Sequence, residues 1–326
     1  MRTAPPSLTD RIIEHARALG FDAVGIASAA GLGQDDRALT RWLAEGRHGG
    51  MAYMAREPHR RSRPQEVLPG AKSVVVLAMN YAPADPERGA ARRAPTPKTM
   101  GRISRYAWGK DYHAVIENRL SQLEAFIRDA AGAGTGCRSY VDHGPILEKA
   151  FARNAGIGFI GKNTLLITEE FGSWVFLSVI LTTLELPPGP AQTSQCGSCR
   201  LCLDACPTGA LIAPYQLDAT RCISYLTVEN KGGIPDDFKS KLNGWVFGCD
   251  ICQEVCPYNA HPKPTRVKEF HSDHGAGSRL DLERVMALDS DEAFRAAFRD
   301  TPLLRPKRAG LQRNAKALLE NRKEFP

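Results

Sequence analysis

The stretch Cys196-Gly-Ser-Cys199-Arg-Leu-Cys202-Leu-Asp-Ala-Cys206-Pro207 follows the C-x₂-C-x₂-C-x₃-C-P spacing with which bacterial ferredoxins bind iron–sulfur clusters. A shorter run, Cys249-Asp-Ile-Cys252-Gln-Glu-Val-Cys256-Pro257, comes later, and Cys222 stands alone between the two. Together these segments hold eight of the nine cysteines of the chain. Two four-iron clusters require eight thiolates, so the sequence predicts two [4Fe-4S] clusters and a role in electron transfer.

The spacing also predicts which cysteines share a cluster, because the fourth cysteine of such a run binds the other cluster in two-cluster ferredoxins. The predicted ligands of the first cluster are Cys196, Cys199, Cys202 and Cys256, and those of the second are Cys206, Cys222, Cys249 and Cys252. Zinc sites usually pair two C-x₂-C elements, and disulfide frameworks suit small secreted domains, so both alternatives fit this pattern less well. Cys137, the ninth cysteine, is expected to be a buried apolar residue.

The bulk properties are those of an ordinary globular protein of 326 residues, long enough for two or three domains. The longest apolar runs, Ser73–Met79 and Trp174–Leu181, are far shorter than the roughly 20 residues that span a bilayer, and they predict buried strands. With no export signal recognised either, we expect a cytoplasmic location. Lys and Arg number 43 against 36 Asp and Glu, a net charge of +7 that fits either a polyanionic partner or a solvated basic surface.

Strands and helices alternate as far as residue 185, which predicts an open sheet of the α/β (α+β) class. A Pro-, Ala- and Arg-rich stretch between Tyr81 and Thr99 is predicted to be a surface loop. The predicted domains are 1–185, an α/β unit; 186–262, a ferredoxin-like two-cluster unit; and 263–326, a short helical C-terminal segment. The predicted helices of that last segment are Leu280–Leu288, Ser290–Phe298 and Arg308–Leu319.

Two motifs outside the cysteine runs are ambiguous. The segment Gly156-Ile-Gly-Phe-Ile-Gly-Lys-Asn163 fits G-x-G-x-x-G but follows a predicted helix, and it nearly fits a P-loop but has asparagine at the hydroxyl position. The segment Asp111-Tyr112-His113 is similar to the start of the D-x-H-x-x-G motif of cobalt-ligating histidines, although Ile116 replaces the glycine. Neither motif on its own assigns a ligand.

Asp142 is the candidate acid, since it follows the predicted strand Arg138–Val141 and precedes His143-Gly-Pro. Ligands of open α/β sheets bind beyond the carboxyl ends of strands, where a buried carboxylic acid can donate a proton. The alternative, favoured by the residues alone, is a helix cap or turn former.

Taken in order, the motifs resemble those of the epoxyqueuosine reductases, cobalamin-dependent enzymes that complete queuosine in tRNA and are related to reductive dehalogenases. The resemblance covers nearly the whole chain and includes the full cysteine pattern. Its other segments are Leu68-Pro-Gly-Ala-Lys-Ser-Val74, Arg105-Tyr-Ala-Trp-Gly-Lys-Asp-Tyr-His113, Val141-Asp-His-Gly-Pro145, Gly156-Ile-Gly-Phe-Ile-Gly-Lys-Asn-Thr-Leu-Leu166 and Cys222-Ile-Ser-Tyr-Leu-Thr-Val-Glu-Asn230.

This resemblance implies an N-terminal cobalamin domain, two [4Fe-4S] clusters that pass electrons to cobalt, and Asp142 as the proton donor at the epoxide. It implies that the corrin or the substrate is lined by Arg61, Tyr106, Tyr112, Lys162, Asn163, Thr164, Ser173, Trp174 and Ser224. The implied reaction is the two-electron reduction of epoxyqueuosine to queuosine at the tRNA wobble position, the final step of queuosine biosynthesis.

The implied partners are a tRNA with a GUN anticodon carrying epoxyqueuosine and an external low-potential electron donor of the flavodoxin or ferredoxin type. No membrane partner is expected, and the protein is expected to be a monomer. Some relatives continue into a helical-repeat domain that helps to hold tRNA, and this C-terminus resembles its first helices. The arginines there, Arg305, Arg308 and Arg313, are expected to contact the tRNA backbone.

Three other functions remain open from the sequence. A corrinoid reductive dehalogenase would share the architecture and act on organohalides. A non-catalytic electron-transfer protein of the ferredoxin type would leave about 185 residues of α/β domain unexplained. A nucleotide-dependent reductase would require the glycine-rich segment at 156–163 to bind phosphate.

Overall fold

The computed structural model describes residues 5–83, 99–132 and 134–323. Residues 84–98, which form most of the predicted surface loop, lie outside this description. The α-helices are α1 (Leu8–Ala18), α2 (Gly33–Ala44), α3 (Ala52–Ala55), α4 (Pro64–Val67), α5 (Tyr112–Ala131), α6 (Glu148–Asn154), α7 (Leu201–Asp204), α8 (Asp236–Lys239), α9 (Ile251–Glu254), α10 (Leu282–Met286), α11 (Asp291–Ala297) and α12 (Lys307–Lys323). The strands are β1 (Ala23–Ser28), β2 (Ser73–Asn80), β3 (Met100–Ile103), β4 (Cys137–Tyr140), β5 (Phe159–Ile160), β6 (Leu166–Ile167), β7 (Val175–Thr182), β8 (Leu211–Ala213), β9 (Gln216–Leu217), β10 (Trp245–Phe247) and β11 (Arg279–Asp281).

The main sheet has four strands in the order β1-β2-β7-β4, and every neighbouring pair is antiparallel. The fold is therefore the α+β form of the predicted class. The rule that places ligands beyond the carboxyl ends of strands in doubly wound sheets does not apply to this antiparallel sheet. β2 and β7 pair from Ser73 opposite Thr182 to Asn80 opposite Val175, and all eight residues of β2 are buried.

Helices cover both faces of this sheet, which explains why its central strand reads as a continuous apolar run. Alternate residues of β2 point to opposite faces. Val75 and Leu77 pack in one core with α1 and α5, whereas Val74 and Val76 pack in a second core with Phe151 of α6. The predicted strands Ser73–Met79, Trp174–Leu181 and Arg138–Val141 are present as β2, β7 and β4, with ends shifted by about one residue.

Side-chain caps fix the starts of the two helices on the first face. Ser7 and Asp10 form a reciprocal capping box at the start of α1, which pairs two otherwise orphaned amides. Asp111 caps α5 by accepting from the backbone N–H of His113 at 3.0 Å. The second cap matters for the site, because it sets the position at which Tyr112 and His113 enter the helix.

The cysteine-rich segment consists of two short helices, α7 and α9, each embedded in a ligand run, and a hairpin of β8 and β9. Each helix is a single turn that ends just before the Cys-Pro of its run. This repeated arrangement is the structural form of the twofold echo in the sequence.

The third hydrophobic core crosses both predicted domain boundaries. Strand β3 pairs in parallel with β10 and antiparallel with β11, so segments near residues 100, 246 and 280 form one sheet. Ile103, Val246, Leu282 and Leu311 are buried together in this core. The division at 185 and 262 stays a prediction, but the three segments share their packing. The predicted helix at Leu280–Leu288 is wrong in its first residues, because Leu280 pairs with Gly101 in a strand.

The glycine-rich segment at 156–163 leads into a tight hairpin of β5 and β6. Gly158 lies against β6, and a Cβ atom there would stand 2.4 Å from the carbonyl oxygen of Ile167. The glycine is therefore required by the close approach of β5 and β6. Because the segment follows α6 and leads into this hairpin, it lacks the strand-to-helix turn of both nucleotide-binding motifs.

In the part of the chain that the structure describes, no helix combines the length and the apolar character needed to cross a bilayer.

Helix α12 is docked by a fully buried asparagine. Asn314 donates from Nδ2 to the carbonyl oxygens of Thr227, at 2.7 Å, and Val246, at 2.9 Å. Thr227 belongs to a π-helical turn, Tyr225–Glu229, that follows Cys222. The C-terminal helix is thus tied to the cluster-binding segment through a buried polar contact.

We expect Asn314→Leu to destabilise the protein by about 2 to 4 kcal/mol, because it leaves two buried carbonyl oxygens unpaired. The midpoint of anaerobic thermal unfolding should fall by about 5 °C or more. Lys316→Leu, an exposed change on the same helix, is the control and should shift the midpoint little. Equal shifts for the two variants would contradict the docking role of Asn314.

Candidate active site and cluster sites

The predicted ligands of the first cluster line one cavity of about 220 Å³. Cys196, Cys199, Cys202 and Cys256 reach it from both cysteine runs, which brings the crossover cysteine to the predicted partners. Burial raises the pKa of Cys202, and the neighbouring Cys196 and Cys256 thiols raise it further. Four sulfur atoms around a cavity of this kind provide the ligand set of a four-iron cluster.

The second set of cysteines is also gathered in one place. Burial raises the pKa of Cys222, and the thiol of Cys206 adds to the effect. Burial likewise raises the pKa of Cys249 and of Cys252, and Cys222 is the largest charged contributor to both. Each of these thiols therefore lies within electrostatic reach of at least one other member of the predicted set, and their assignment to one cluster stays a prediction.

Cys206 differs from the other ligands of its set. Burial raises the pKa of its thiol, but hydrogen bonds from the amide of Leu211, the hydroxyl of Thr208 and the amide of Ala210 outweigh burial and lower it overall. The Ala210 N–H lies 3.3 Å from the sulfur. Such N–H···S contacts favour the thiolate form that binds iron.

Within residues 5–83, 99–132 and 134–323, no three His, Cys, Asp or Glu side chains converge tightly enough to hold one metal ion. The cysteines surround wider spaces instead. Cys137 belongs to neither set, since its sulfur lies 3.7 Å from the hydroxyl of Thr182 in β7.

Asp142 lies in the loop between β4 and α6, with 65% of its side chain exposed. Its backbone has φ +59°, a left-handed conformation that is uncommon for a residue with a side chain. The hydroxyl of Tyr112 donates to Oδ2 at 2.5 Å. One carboxylate oxygen is thus held by the protein while the carboxyl group faces open space.

Tyr112 is held rigidly for this contact. Its ring stacks on Phe176 of β7 with centroids 4.2 Å apart and planes 7° apart. Burial raises the pKa of the phenol, and the adjacent Asp142 carboxylate raises it further. Tyr112 therefore stays protonated and remains a donor to Asp142.

His113 is a second polar neighbour of Asp142. Its Nε2 lies 4.0 Å from Oδ2 of Asp142, and its Nδ1 lies 2.7 Å from the capping carboxylate of Asp111. Burial lowers the pKa of the imidazole, but the hydrogen bond and charge of Asp111, followed by Asp142, raise it overall. The ring of His113, which the sequence compared with a cobalt-ligating histidine, thus bridges two carboxylates in the structure.

The loop that carries Asp142 is held by Glu148 and Arg61. The backbone N–H of Asp142 donates to Oε1 of Glu148 at 2.9 Å. Nη1 of Arg61 lies 3.4 Å from the carbonyl oxygen of Gly144, and the N–H of Leu147 donates to the carbonyl oxygen of Arg61 at 2.8 Å. Arg61, a predicted cofactor residue, therefore clamps the loop that carries Asp142.

Lys149 connects this loop to the second cluster site. Its Nζ donates to the carbonyl oxygen of Thr164 at 2.9 Å. Burial lowers the pKa of the ammonium group, whereas Asp142, Glu148 and the thiol of Cys252 all act to raise it. Asp142 and Cys252 thus both lie within electrostatic reach of the same lysine.

The other predicted cofactor residues lie in four different places. Tyr106 lies beside Tyr112, with ring centroids 6.3 Å apart, and burial followed by the charge of Asp142 raises the pKa of its phenol. Lys162 lies at the first cluster cavity, where its Nζ donates to the carbonyl oxygens of Gly197, at 2.5 Å, and Cys199, at 2.9 Å.

Asn163 and Ser224 lie at the second set of cysteines. Nδ2 of Asn163 is 3.4 Å from the carbonyl oxygen of Cys252. The amide of Ser224 hydrogen-bonds to the sulfur of Cys222, which lowers the pKa of that thiol against the larger effect of burial. Thr164, with φ +65°, contributes its backbone carbonyl to Lys149.

Ser173 and Trp174 lie buried at the junction of the two units. The Ser173 hydroxyl accepts from Gln253 at 3.0 Å and from Asn259 at 2.8 Å, two residues that flank cluster cysteines. Trp174 packs under the guanidinium of Arg105, and its Nε1 is buried with no acceptor among the described residues. These contacts fix the position of the second cysteine run against β7.

The three C-terminal arginines are engaged within the protein. Arg305 forms two hydrogen bonds to Glu229, at 2.8 and 3.0 Å, and Arg308 contacts Asp291 at 2.8 Å. Arg313 donates to the carbonyl oxygens of Asn230, Gly232 and Leu226. Arg308 and Arg313 thus hold the fold, and the expected tRNA contact of these arginines is not tested by their positions.

Sequence reasoning missed Glu148 and Lys149. A signal was available, because the two charged residues interrupt the apolar series Ile146, Leu147, Ala150 and Phe151 at the start of α6. Such a series buries one helix face and leaves the remaining side chains facing outwards, here toward the Asp142 loop.

The comparisons with known proteins point to a single family. Residues 61–143 match the family described as "Epoxyqueuosine reductase QueG, DUF1730", and residues 195–259 match "4Fe-4S double cluster binding domain". The second match confirms the predicted pair of [4Fe-4S] clusters, while the assignment of individual ligands stays a prediction.

Two curated relatives carry the same name, epoxyqueuosine reductase. The protein of Pseudomonas aeruginosa is 44% identical over 310 residues, which cover 95% of this chain and 83% of that protein. The protein of Leadbetterella byssophila is 40% identical over 296 residues, which cover 91% of this chain and 93% of that protein.

Two solved structures are similar over nearly the whole chain. One is an epoxyqueuosine reductase with an epoxyqueuosine-modified stem loop of tRNA-Tyr, with a TM-score of 0.89 and 34% identity. The other is the enzyme from Bacillus subtilis with an aspartate-bearing catalytic loop swung out of the active site, with a TM-score of 0.87 and 33% identity. Each match covers 98% of this chain and 82% of the other.

The cluster assignment predicts that Cys256→Ser and Cys222→Ser disrupt different clusters. Each variant should retain about half of the iron of the anaerobically purified protein, since each removes a ligand of one four-iron cluster only. Electron paramagnetic resonance of the reduced proteins should show a different remaining cluster in each. Cys137→Ser is the control and should keep all of the iron. Identical remaining spectra for Cys256→Ser and Cys222→Ser would contradict the assignment.

Proposed function

Because the chain belongs to the epoxyqueuosine reductase family, we propose that it reduces epoxyqueuosine to queuosine at the wobble position of tRNA. The observation that carries this proposal is the exposed carboxyl group of Asp142, fixed by Tyr112 at 2.5 Å and, like Cys252 of the second cluster site, within electrostatic reach of Lys149. A candidate proton donor and a candidate cluster ligand thus lie near the same lysine. The reaction consumes two electrons and two protons and releases the epoxide oxygen as water.

Cobalamin is the cofactor that membership in this family implies, and two unpartnered donors fit it. Nε of Arg61 and Nε1 of Trp174 are buried without an acceptor in the part of the chain that the structure describes. The amide groups at the rim of a corrin are acceptors for such donors. Arg61, Tyr106, Tyr112, Thr164 and Trp174 are the residues proposed to hold it. When bound, the cobalt centre supplies low-potential electrons to the substrate.

The residues of the chain then supply positioning and protons. Asp142 donates a proton to the epoxide oxygen while Tyr112 holds its other oxygen in place. His113, whose pKa is raised by Asp111, lies 4.0 Å from Asp142 and returns a proton to it. The cysteines of the second set, of which Cys252 lies within electrostatic reach of Lys149, would hold the cluster nearer to the Asp142 loop, and both clusters would supply electron transfer.

The proposed partners follow from this scheme. The substrate is a tRNA with a GUN anticodon, and the electron donor is a small low-potential protein of the flavodoxin or ferredoxin type. The protein is proposed to act as a monomer in the cytoplasm.

Two lysines close to Arg305 are suited to contact the phosphates of the tRNA backbone. Lys231 and Lys307 are exposed, and Lys231 lies within electrostatic reach of Arg305, Lys307 and Arg313. Arg305 stands 5.9 Å from the ring of Tyr53. Burial raises the pKa of the Tyr53 phenol, and the charges of Glu229 and Asp142 raise it further. The basic cluster therefore borders the approach to Asp142.

Replacing Asp142 by asparagine should lower turnover by at least about 10²-fold, because the amide cannot donate a proton in place of the acid. The iron content and the binding of cobalamin, followed by ultraviolet–visible spectroscopy under anaerobic conditions, should be unchanged. Glu117→Gln, an exposed carboxylate on α5 near His143, is the matched control. Near-normal turnover of Asp142→Asn would return Asp142 to a structural role.

Reversing the charge of Lys231 and Lys307 to glutamate should weaken tRNA binding and flatten its salt dependence. Each lost phosphate contact should reduce the slope of log K against log salt by about 0.7 to 0.9. Lys72→Glu is the control, because Lys72 pairs with Glu185 at the end of the sheet opposite to Asp142. A salt slope that Lys231→Glu and Lys307→Glu leave unchanged would exclude these lysines from the interface.

A further inference from the structure

We propose that Glu148 is a positioning residue that latches the Asp142 loop in its active conformation through the backbone N–H of Asp142. The proposal rests on the proposed function only in naming the step that the latch serves. The latch itself is a structural claim about residues 141–148, and it can be tested without substrate.

The first observation is the strain in the loop. Asp142 has φ +59°, and residues with a Cβ atom are uncommon in this region because of steric crowding. The next amide, that of His143, bonds back to the carbonyl oxygen of Val141 at 2.6 Å. A turn of this kind persists only where the surroundings hold it, so something must stabilise the amide of Asp142 itself.

The second observation is that Glu148 holds this amide. Its Oε1 accepts from the N–H of Asp142 at 2.9 Å, whereas Tyr112 and His113 contact the carboxylate. The backbone and the side chain of Asp142 are therefore held by different elements, α6 and α5.

The third observation is that Glu148 is itself anchored. It is the first residue of α6, a position that favours an acidic side chain. Burial and then the charge of Asp142 raise the pKa of Glu148 well above its usual value, while the N–H of Asp142, Lys149 and Arg61 act to lower it. Arg61 also clamps the loop at Gly144, whose missing Cβ would stand 2.4 Å from the ring of Tyr140. The loop is thus pinned at Asp142 by Glu148 and at Gly144 by Arg61.

Helix stabilisation is the simpler role for a glutamate at a helix start, and it predicts a different behaviour. A purely helical role would be lost in any neutral variant and would loosen α6 as a whole. A latch depends on an acceptor at the end of the side chain and affects the loop before the helix. Glutamine keeps such an acceptor in its amide oxygen, whereas methionine has similar length but no oxygen.

The test is amide hydrogen exchange of the anaerobic, cluster-loaded protein without tRNA, read by mass spectrometry on peptides that cover residues 141–147 and 149–154. We expect Glu148→Met to raise the exchange rate of the loop peptide at least tenfold while the α6 peptide changes less than threefold. Glu148→Gln should change both peptides less than threefold. Glu283→Met, an exposed glutamate in the first turn of α10, is the matched control and should change neither.

The kinetic arm measures the role of the latch in turnover. We expect Glu148→Met to lower kcat at least tenfold with KM for tRNA changed less than threefold, and Glu148→Gln to retain at least a fifth of kcat. In an Asp142→Ala background, Glu148→Met should cause no further loss, because a residue that acts through Asp142 has nothing left to position.

Three outcomes would overturn the proposal. The first is a loop peptide that exchanges at the wild-type rate in Glu148→Met. The second is equal loosening of the loop and of α6, which would indicate helix stabilisation. The third is a Glu148→Gln variant as impaired as Glu148→Met, which would make the charge or a proton of Glu148 the essential property. If Glu148→Met does not fold, Glu148→Gln alone is compared with the wild-type protein, and a strong impairment of Glu148→Gln would overturn the proposal. If the proposed function were wrong, the wild-type protein itself would show no turnover, while the exchange results for the loop would still hold.

Discussion

The pairing of β2 with β7 is the constraint on which the rest of the molecule depends. These two strands are buried between helical layers, and their register over eight residue pairs sets which end of the sheet carries the site. At one end β7 leads back to Trp174 and Ser173, which contact the second cysteine run. Strand β4 lies on the other edge of β7 and delivers the chain to Asp142. A shift of one residue in this register would exchange the two faces and separate the acid from the cluster site.

Most of the secondary structure could be predicted, because the governing signals are local. The apolar run of β2 and the helical spacing of Ile116, Leu120 and Leu123 on α5 are direct consequences of burial. The direction of the strands could not be predicted, since an apolar run reads alike in parallel and antiparallel sheets. Strand β3 was missed because a strand of four residues is stabilised by partners that lie far away in the chain.

The candidate site shows the same division. Cysteine spacing predicted the cluster ligands because a metal cluster imposes its geometry on short loops. Asp142 needed the family resemblance, since its position depends on a left-handed turn that the sequence around it does not demand. Glu148 and Lys149 escaped both routes. Their roles arise where a loop, a helix start and a cluster cysteine meet, which is a property of tertiary packing.

The shared third core has a consequence for how such an enzyme can be built. Its apolar residues come from the sheet-forming unit, from the cluster-binding segment and from the last helix. Without the other two, each part would expose apolar surface to solvent. The electron-carrying segment is therefore not an exchangeable cassette of the kind found in modular redox chains. The rest of the enzyme shields this segment from solvent. Changes in the outer helices therefore alter the surroundings of the cluster cysteines, and we expect the cluster-binding segment and the sheet-forming unit to evolve together.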